Sequence, residues 1–247
     1  MSMKTSLEHD HSPEAIDQRL SLGNRPNYLR DWVYGGIDGT VTTFAVVAGV
    51  AGASLPSGIL LILGLANLVA DGFSMAASNY SGTKTEIDDY ARLRERELRH
   101  IRLDPQGEQE EVRQIFARKG LSGPTLDATV TAISANEETW VELMMTEEYG
   151  LATTQRDPVK SALSTFIAFI ICGFVPLLPF LLPVSSPFLW STLMTSAVFV
   201  AIGSAKSRWA LVSWWRSGLE TLIIGTAAAG AAYIIGYALR ELAGVAM

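Results

Sequence analysis

The sequence predicts an all-α, polytopic membrane protein with five transmembrane helices and a small helical cytoplasmic domain between helices two and three. Three observations predict it. First, the composition is apolar: 49% of the 247 residues are hydrophobic and only 18% are charged, against about 25% charged in a soluble domain. Second, the charges are unevenly placed. The stretch from Ser81 to Val159 holds 16 acidic and 10 basic residues, more than half of all the charge in the chain. Third, five apolar runs reach the ~20 helical residues that a bilayer core requires.

Taken in order, residues 1–30 form a polar N-terminal segment, expected in the cytoplasm. Residues 31–80 hold the first two spans, Trp32–Ser54 and Gly58–Tyr80, joined by the uncharged turn Leu55-Pro56-Ser57. Residues 81–158 form the helical domain. Thr83 to Leu103 has neither Gly nor Pro and should prolong the second span. Asp104-Pro105 reads as an N-cap followed by proline at the first helical position, opening a helix that runs to Gly120. Gly123-Pro124 interrupts the chain. Ser134-Ala135-Asn136-Glu137 reads as a capping box for a helix ending at Gly150. Residues 159–247 hold spans Val159–Leu182, Phe188–Ala205 and Gly218–Leu239, the first of them capped by Asp157-Pro158.

Orientation follows from Lys and Arg. Arg19, Arg25, Arg30, the 81–159 stretch, Lys160, Lys206, Arg208 and Arg216 fall on one side, and Arg240 alone falls on the other. The N-terminus and the domain are therefore expected in the cytoplasm and the C-terminus outside. No basic-then-apolar signal or organelle-targeting pattern opens the chain, which fits a bacterial inner membrane. The net charge of −6 argues against nucleic acid. The single cysteine, Cys172, lies in an apolar run and has no thiol partner.

Chemistry is expected at a few positions. Asp38 and Asp71 are carboxylates within spans, where a charge costs ~2.5–3.5 kcal/mol on the insertion scale and usually marks an ion or proton path. The alternative for Asp38 is a packing carboxylate paired with Arg30. In span two, Asn67, Asp71, Met75 and Asn79 recur every four residues and share one face. A carboxylate, an amide oxygen and a thioether together suit a borderline metal such as Fe²⁺ better than Mg²⁺. In the domain, Glu97 and His100 are three apart, as are Glu108 and Glu111, and Met144, Met145 and Glu148 share a helix face. Glu108 and Glu111 are expected on an exposed surface. Glu86, Asp88, Asp89, Glu110 and Glu142 read as solvated positions. Glu97-x-x-His100 is half of a ferritin-like di-iron motif, but the other histidines, His9 and His11, cannot complete a second copy. The glycines Gly35, Gly36, Gly39, Gly49 and Gly52 say that helices pack closely.

These residues together resemble the vacuolar iron transporter family over about residues 28 to 240. The matching pieces are Asp38-Gly39-x-Val41-Thr42, Ala70-Asp71-Gly72-Phe73-Ser74-Met75-Ala76 and Lys84-x-Glu86. The domain adds Arg94-Glu95-Arg96-Glu97, Pro105-x-x-Glu108-x-x-Glu111-Val112 and Trp140-x-x-x-Met144-Met145-x-x-Glu148-x-Gly150-Leu151. Span three adds Gly173-Phe174-x-Pro176-Leu177-x-Pro179. The resemblance implies a homodimer in the lipid bilayer that exchanges cytoplasmic Fe²⁺ for protons, with Mn²⁺ or other divalent ions as further substrates. It implies a transport site at Asp38 and Met75, and a metal-collecting domain using Glu97, Glu108, Glu111, Met144, Met145 and Glu148. No enzymatic activity and no prosthetic group is expected; Fe²⁺, Mn²⁺ or Zn²⁺ is bound as substrate. Two positions depart from the pattern: His100 stands where relatives carry a glutamate, and Asn67 where some do, with Asp71 one turn on. A passive divalent-metal channel and a non-transporting membrane metal sensor remain as alternative readings.

Overall fold

The computed structural model describes residues 10–22, 26–152 and 154–242, so His9 and Arg25 lie outside the described residues. After a short helix α1 (Pro13–Ser21), the elements are α2 (Leu29–Gly52), α3 (Ser57–Leu103), α4 (Pro105–Arg118), α5 (Gly123–Ser134) and α6 (Glu137–Glu147). Then come α7 (Pro158–Phe174), a 3-10 turn (Val175–Leu177), α8 (Leu178–Leu181), α9 (Pro187–Lys206), a second 3-10 turn (Ser207–Trp209) and α10 (Trp214–Leu242). There is no strand among the described residues. The fold is all-α, with five helical segments long and apolar enough to cross a membrane.

The chain divides into two compact units. One comprises Tyr28–Arg96 with the chain from Arg156 onward; the other comprises Glu97–Gln155 with the N-terminal segment. In the first unit, α2 is the central helix, packed against α7, α9 and α10. Glycine makes this possible on two sides. A Cβ on Gly39 would meet the backbone carbonyl of Phe169 on α7, and one on Gly236 of α10 would meet the carbonyl of Gly49. Backbones approach here without side chains between them, which maximises dispersion contact where lipid offers no hydrophobic drive. Phe44, Val47, Ala48, Leu60, Leu68, Phe169, Leu177 and Ala229 form the buried apolar centre.

The outer surface of this unit is apolar. Ile62, Val69 and Phe73 on α3, Ile167 and Ile171 on α7, Leu193 on α9 and Ile223 and Ile234 on α10 are all exposed. Only 17% to 50% of the residues in each apolar span window are buried. Water would penalise such a surface heavily, and a bilayer does not. Trp209, Trp214 and Trp215 stand exposed beside Lys206, Arg208 and Arg216, the composition of a membrane-water boundary.

The termini of the spans have local causes. Asp157 Oδ1 accepts from the N–H groups of Val159 and Lys160, capping α7 as its sequence predicts. Pro176 and Pro179 end α7 and tighten the chain into the 3-10 turn, because proline lacks the N–H that the ladder needs. The Pro176 carbonyl is then satisfied by the Ser191 hydroxyl at 2.7 Å. Ser54 closes α2 with φ of 56°, and its hydroxyl accepts from Arg240 Nη1 at 2.6 Å.

In the second unit, α4 packs on α5 and α5 on α6. Val112, Leu126, Val130, Trp140, Val141, Met144 and Met145 are its buried apolar residues on these helices. The Asp104 carboxylate accepts from Gly107 N–H at 3.0 Å and starts α4. Gly120 and Gly150 adopt φ of 95° and 66° in the turns that follow α4 and α6. The cap of α6 differs from the expected box. Asn136, not Ser134, caps the helix by accepting from Thr139 N–H, whereas the Ser134 hydroxyl donates back to Val130 O within α5.

Gly39→Leu should prevent α2 from seating on α7, since overpacking costs ~1–3 kcal/mol and here the obstacle is backbone. The expected result is loss of a monodisperse peak in detergent and a lowered melting temperature. Gly82→Ala, where a Cβ meets nothing within 4 Å, should leave both unchanged.

Candidate functional site

The site residues of the second unit are assembled by the turn at Asp104-Pro105. Glu97 and His100 lie one turn apart near the end of α3, and α4 folds back from the turn so that Glu108 meets them. One ligand atom from each of Glu97, His100 and Glu108 lies within 4.8 Å of the others. His100 Nδ1 stands 3.5 Å from Glu108 Oε1.

Burial distinguishes these carboxylates from surface charges. Glu97 is 1% and Glu108 5% exposed, whereas His100 is exposed. The expectation that Glu108 faces water is thus corrected. The turn directs its side chain inward, and only Glu111, three residues on, stays exposed. Tyr149, just after α6, donates its phenolic O–H to Glu97 Oε2 at 3.2 Å. Glu97 Oε1 and Glu108 Oε2 are buried without a partner among the described residues. Such atoms are costly unless something fills the space between them. Met144 and Met145 are fully buried on α6.

The electrostatics follow from this crowding. Burial pushes the Glu108 carboxyl up to about 8, helped by its hydrogen bond to Glu97 and by the charges of Glu97, Glu111 and Glu148. At neutral pH Glu108 therefore retains a proton. A divalent cation can take the place of that proton and discharge the repulsion at once. Glu86, Asp88, Asp89, Glu110 and Glu142 are all exposed, as expected.

In the spanning unit, Asp38 on α2 and Asp71 on α3 are both half-buried and close enough to repel one another. Arg30 does not neutralise Asp38; its guanidinium lies 5.2 Å over the Tyr34 ring. Met75 packs at the edge of the apolar centre, and the Asn67 amide nitrogen is buried without a partner among the described residues. Asn79, the fourth residue of the stripe, is engaged elsewhere. Its amide donates to Asp31 Oδ1 at 2.9 Å, Thr165 Oγ1 at 2.7 Å and the Ser161 carbonyl at 3.2 Å.

The sequence reading missed Asp31, Arg156 and Tyr149. Starting span one at Trp32 left Asp31 just outside it, although α2 begins at Leu29 and Asp31 is 1% exposed. Arg156, which donates to Asp31 at 2.9 Å, is 125 residues away. No spacing pattern reveals such a partner. Tyr149 offered only its place beside Glu148.

The model of the VIT family matches residues 29–237. The chain belongs to the VIT family. The vacuolar iron transporter 1 of Oryza sativa subsp. japonica is 34% identical over 233 residues, covering 92% of this chain and 89% of that one. The vacuolar iron transporter 1 of Arabidopsis thaliana is 34% identical over 212 residues, 84% of each chain. The vacuolar iron transporter of Toxoplasma gondii is 30% identical over 230 residues, 88% of this chain and 76% of that one. As a VIT-family member the chain is an integral membrane protein and a transporter rather than an enzyme.

A pH dependence follows from Glu108. Its carboxyl in the folded protein stands near 8, against 4.5 when unperturbed. The folded protein therefore binds more protons than the unfolded chain between these values, and protonated Glu108 contributes most below the lower one. That contribution is lost as pH rises through about 8. Hydrogen exchange in peptides spanning residues 97–115, corrected for intrinsic rates, should quicken from pH 6 to 8.5 in metal-free protein. Added Zn²⁺ should remove the dependence, and Glu108→Gln should flatten it without metal.

Proposed function

We propose that this protein exports Fe²⁺ from the cytoplasm in exchange for protons, with Mn²⁺ and other divalent metals as further substrates. The observation that carries this reading is the pair of half-buried carboxylates, Asp38 and Asp71, close enough to interact although each lies within an apolar span, with Met75 one turn beyond Asp71 on α3. Two like charges in so poor a solvent are stable only when a cation or a proton sits between them. Occupation by metal and occupation by proton then exclude each other, which is the minimal physical basis of antiport.

In this mechanism Asp38 is the coupling carboxylate and Asp71 its partner. Asn67 supplies a neutral oxygen, and the Met75 thioether favours Fe²⁺ over Mg²⁺ and Ca²⁺. The domain of residues 81–158 lies in the cytoplasm and collects metal through Glu97, His100, Glu108, Glu111, Met144, Met145 and Glu148. Imidazole at His100 is a ligand only when neutral, so collection weakens as pH falls from about 7 to 6. The N-terminus is cytoplasmic, the C-terminus is outside, the protein works as a homodimer, and its membrane is a bacterial inner membrane. The names of the relatives support iron as the cargo, and the Lys and Arg distribution supports the orientation.

The test is metal uptake into proteoliposomes with and without an imposed pH gradient. Wild-type protein should concentrate Fe²⁺ only with the gradient, Asp38→Asn should abolish this, and Met75→Leu should slow transport and relax selection against Mg²⁺. Equal flux without a gradient would favour a passive channel. Wild-type rates in folded Asp38→Asn would make Asp38 structural.

A further inference from the structure

Asp31 is the most deeply buried acid of the spanning unit, at 1% exposure, and the mechanism above does not use it. It lies seven residues before Asp38 on α2, two helical turns along nearly the same face. A carboxylate this buried needs a cation, and it has one: Arg156 Nη1 donates to Oδ1 at 2.9 Å.

The pairing is not that of a structural salt bridge. An arginine built to hold an aspartate offers two parallel bonds to both oxygens. Here Arg156 divides its fork. Nη1 goes to Asp31, and Nη2 goes to the exposed Glu86 at 3.4 Å. Asp31 Oδ2 is buried with no partner among the described residues, and the Ser161 hydroxyl is likewise. Through the Asn79 amide, the Ser161 carbonyl and Thr165 Oγ1 are gathered beside the same carboxylate. The result is a half-satisfied group of oxygens whose charge is balanced by a side chain that also reaches Glu86.

We propose that Asp31 is an additional cation-binding site on the route to Asp38, and that the Arg156 guanidinium is its resident occupant. An entering divalent metal displaces Arg156, which moves fully onto Glu86. When the metal leaves, Arg156 returns. The buried carboxylate is thus never bare, which would cost several kcal/mol. The inference rests on the transport reading above, and it makes Arg156 an internal competitor that lowers the apparent affinity for metal.

The experiment is metal-dependence of initial uptake in proteoliposomes. Arg156→Gln removes the competitor, so KM should fall about fivefold if the guanidinium holds the site about four-fifths of the time. Arg156→Lys restores a cation and should return KM towards the wild-type value. Glu86→Gln removes the place to which Arg156 retires, so KM should rise. A merely structural Arg156 predicts instead a lower yield and lower Vmax, with no opposed movement of KM. Glu86 is exposed, so Glu86→Gln remains informative if Arg156→Gln does not fold, and an unchanged KM in it then overturns the proposal. Wild-type protein that transports while KM is unchanged or raised in Arg156→Gln overturns this inference alone. Wild-type protein that moves no metal overturns it together with the proposed function.

Discussion

A carboxylate surrounded by apolar atoms must find a proton, a cation or a set of donors, and each notable feature of this molecule answers that demand differently. Glu108 keeps a proton, and its neighbour Glu97 takes a phenolic hydrogen bond from Tyr149. Asp31 takes a guanidinium and an amide. Asp38 and Asp71 are close enough to repel one another, and neither side chain has a hydrogen bond or ion pair among the described residues. The order matters, because the groups with the least internal compensation gain most from an arriving cation. Binding strength is set less by the ligand atoms themselves than by what they lack in its absence.

Holding half-compensated charges in place requires a stiff frame, and α2 supplies it. Its glycines let α7 and α10 lie directly against its backbone, so Asp31 and Asp38 are carried on a helix clamped from two sides. Two threonines of that helix place polar groups in it without adding charge. Thr40 and Thr42 donate to the carbonyls of Gly36 and Asp38, at 2.6 and 2.8 Å, which satisfies their hydroxyl hydrogens within the helix.

Much of this was legible in the sequence. The five spans follow from run length, and the continuation of span two to Leu103 follows from the lack of any breaker after Gly82. The Asp104-Pro105 cap marked where α4 begins, but not that α4 turns back and brings Glu108 near Glu97. What stayed hidden was side-chain direction. Glu108 and Glu111 share one helix face by period, yet one is buried and the other is not. Periodicity gives an angle around a helix, not the depth of the neighbour it meets. The capping box failed for a similar reason. Ser134 had a carbonyl within its own helix to serve, and the amide of Asn136 was better placed for Thr139. Asp31 with Arg156 depends on a contact between the first span and the segment before the third, which no local pattern encodes.

The spanning part of α3 is held differently from the other spans. Where α2 meets α7 and α10 through backbone, the glycines of α3 meet side-chain tips, Leu177 against Gly64 and Phe169 and Ile170 against Gly72, while Asn79 hydrogen-bonds to Asp31, Ser161 and Thr165 farther along the helix. Tips slide over one another at little cost, while interlocked backbones do not. The spanning unit therefore has a slab, made of α2, α7 and α10, to which α3 is pinned at Asn79 and packed through softer contacts at Gly72 and Gly64. Asp38 belongs to the slab and Asp71 to α3. A shear of an ångström or so alters the gap between the two acids, and with it the Coulomb energy that sets whether a doubly or singly charged guest is preferred.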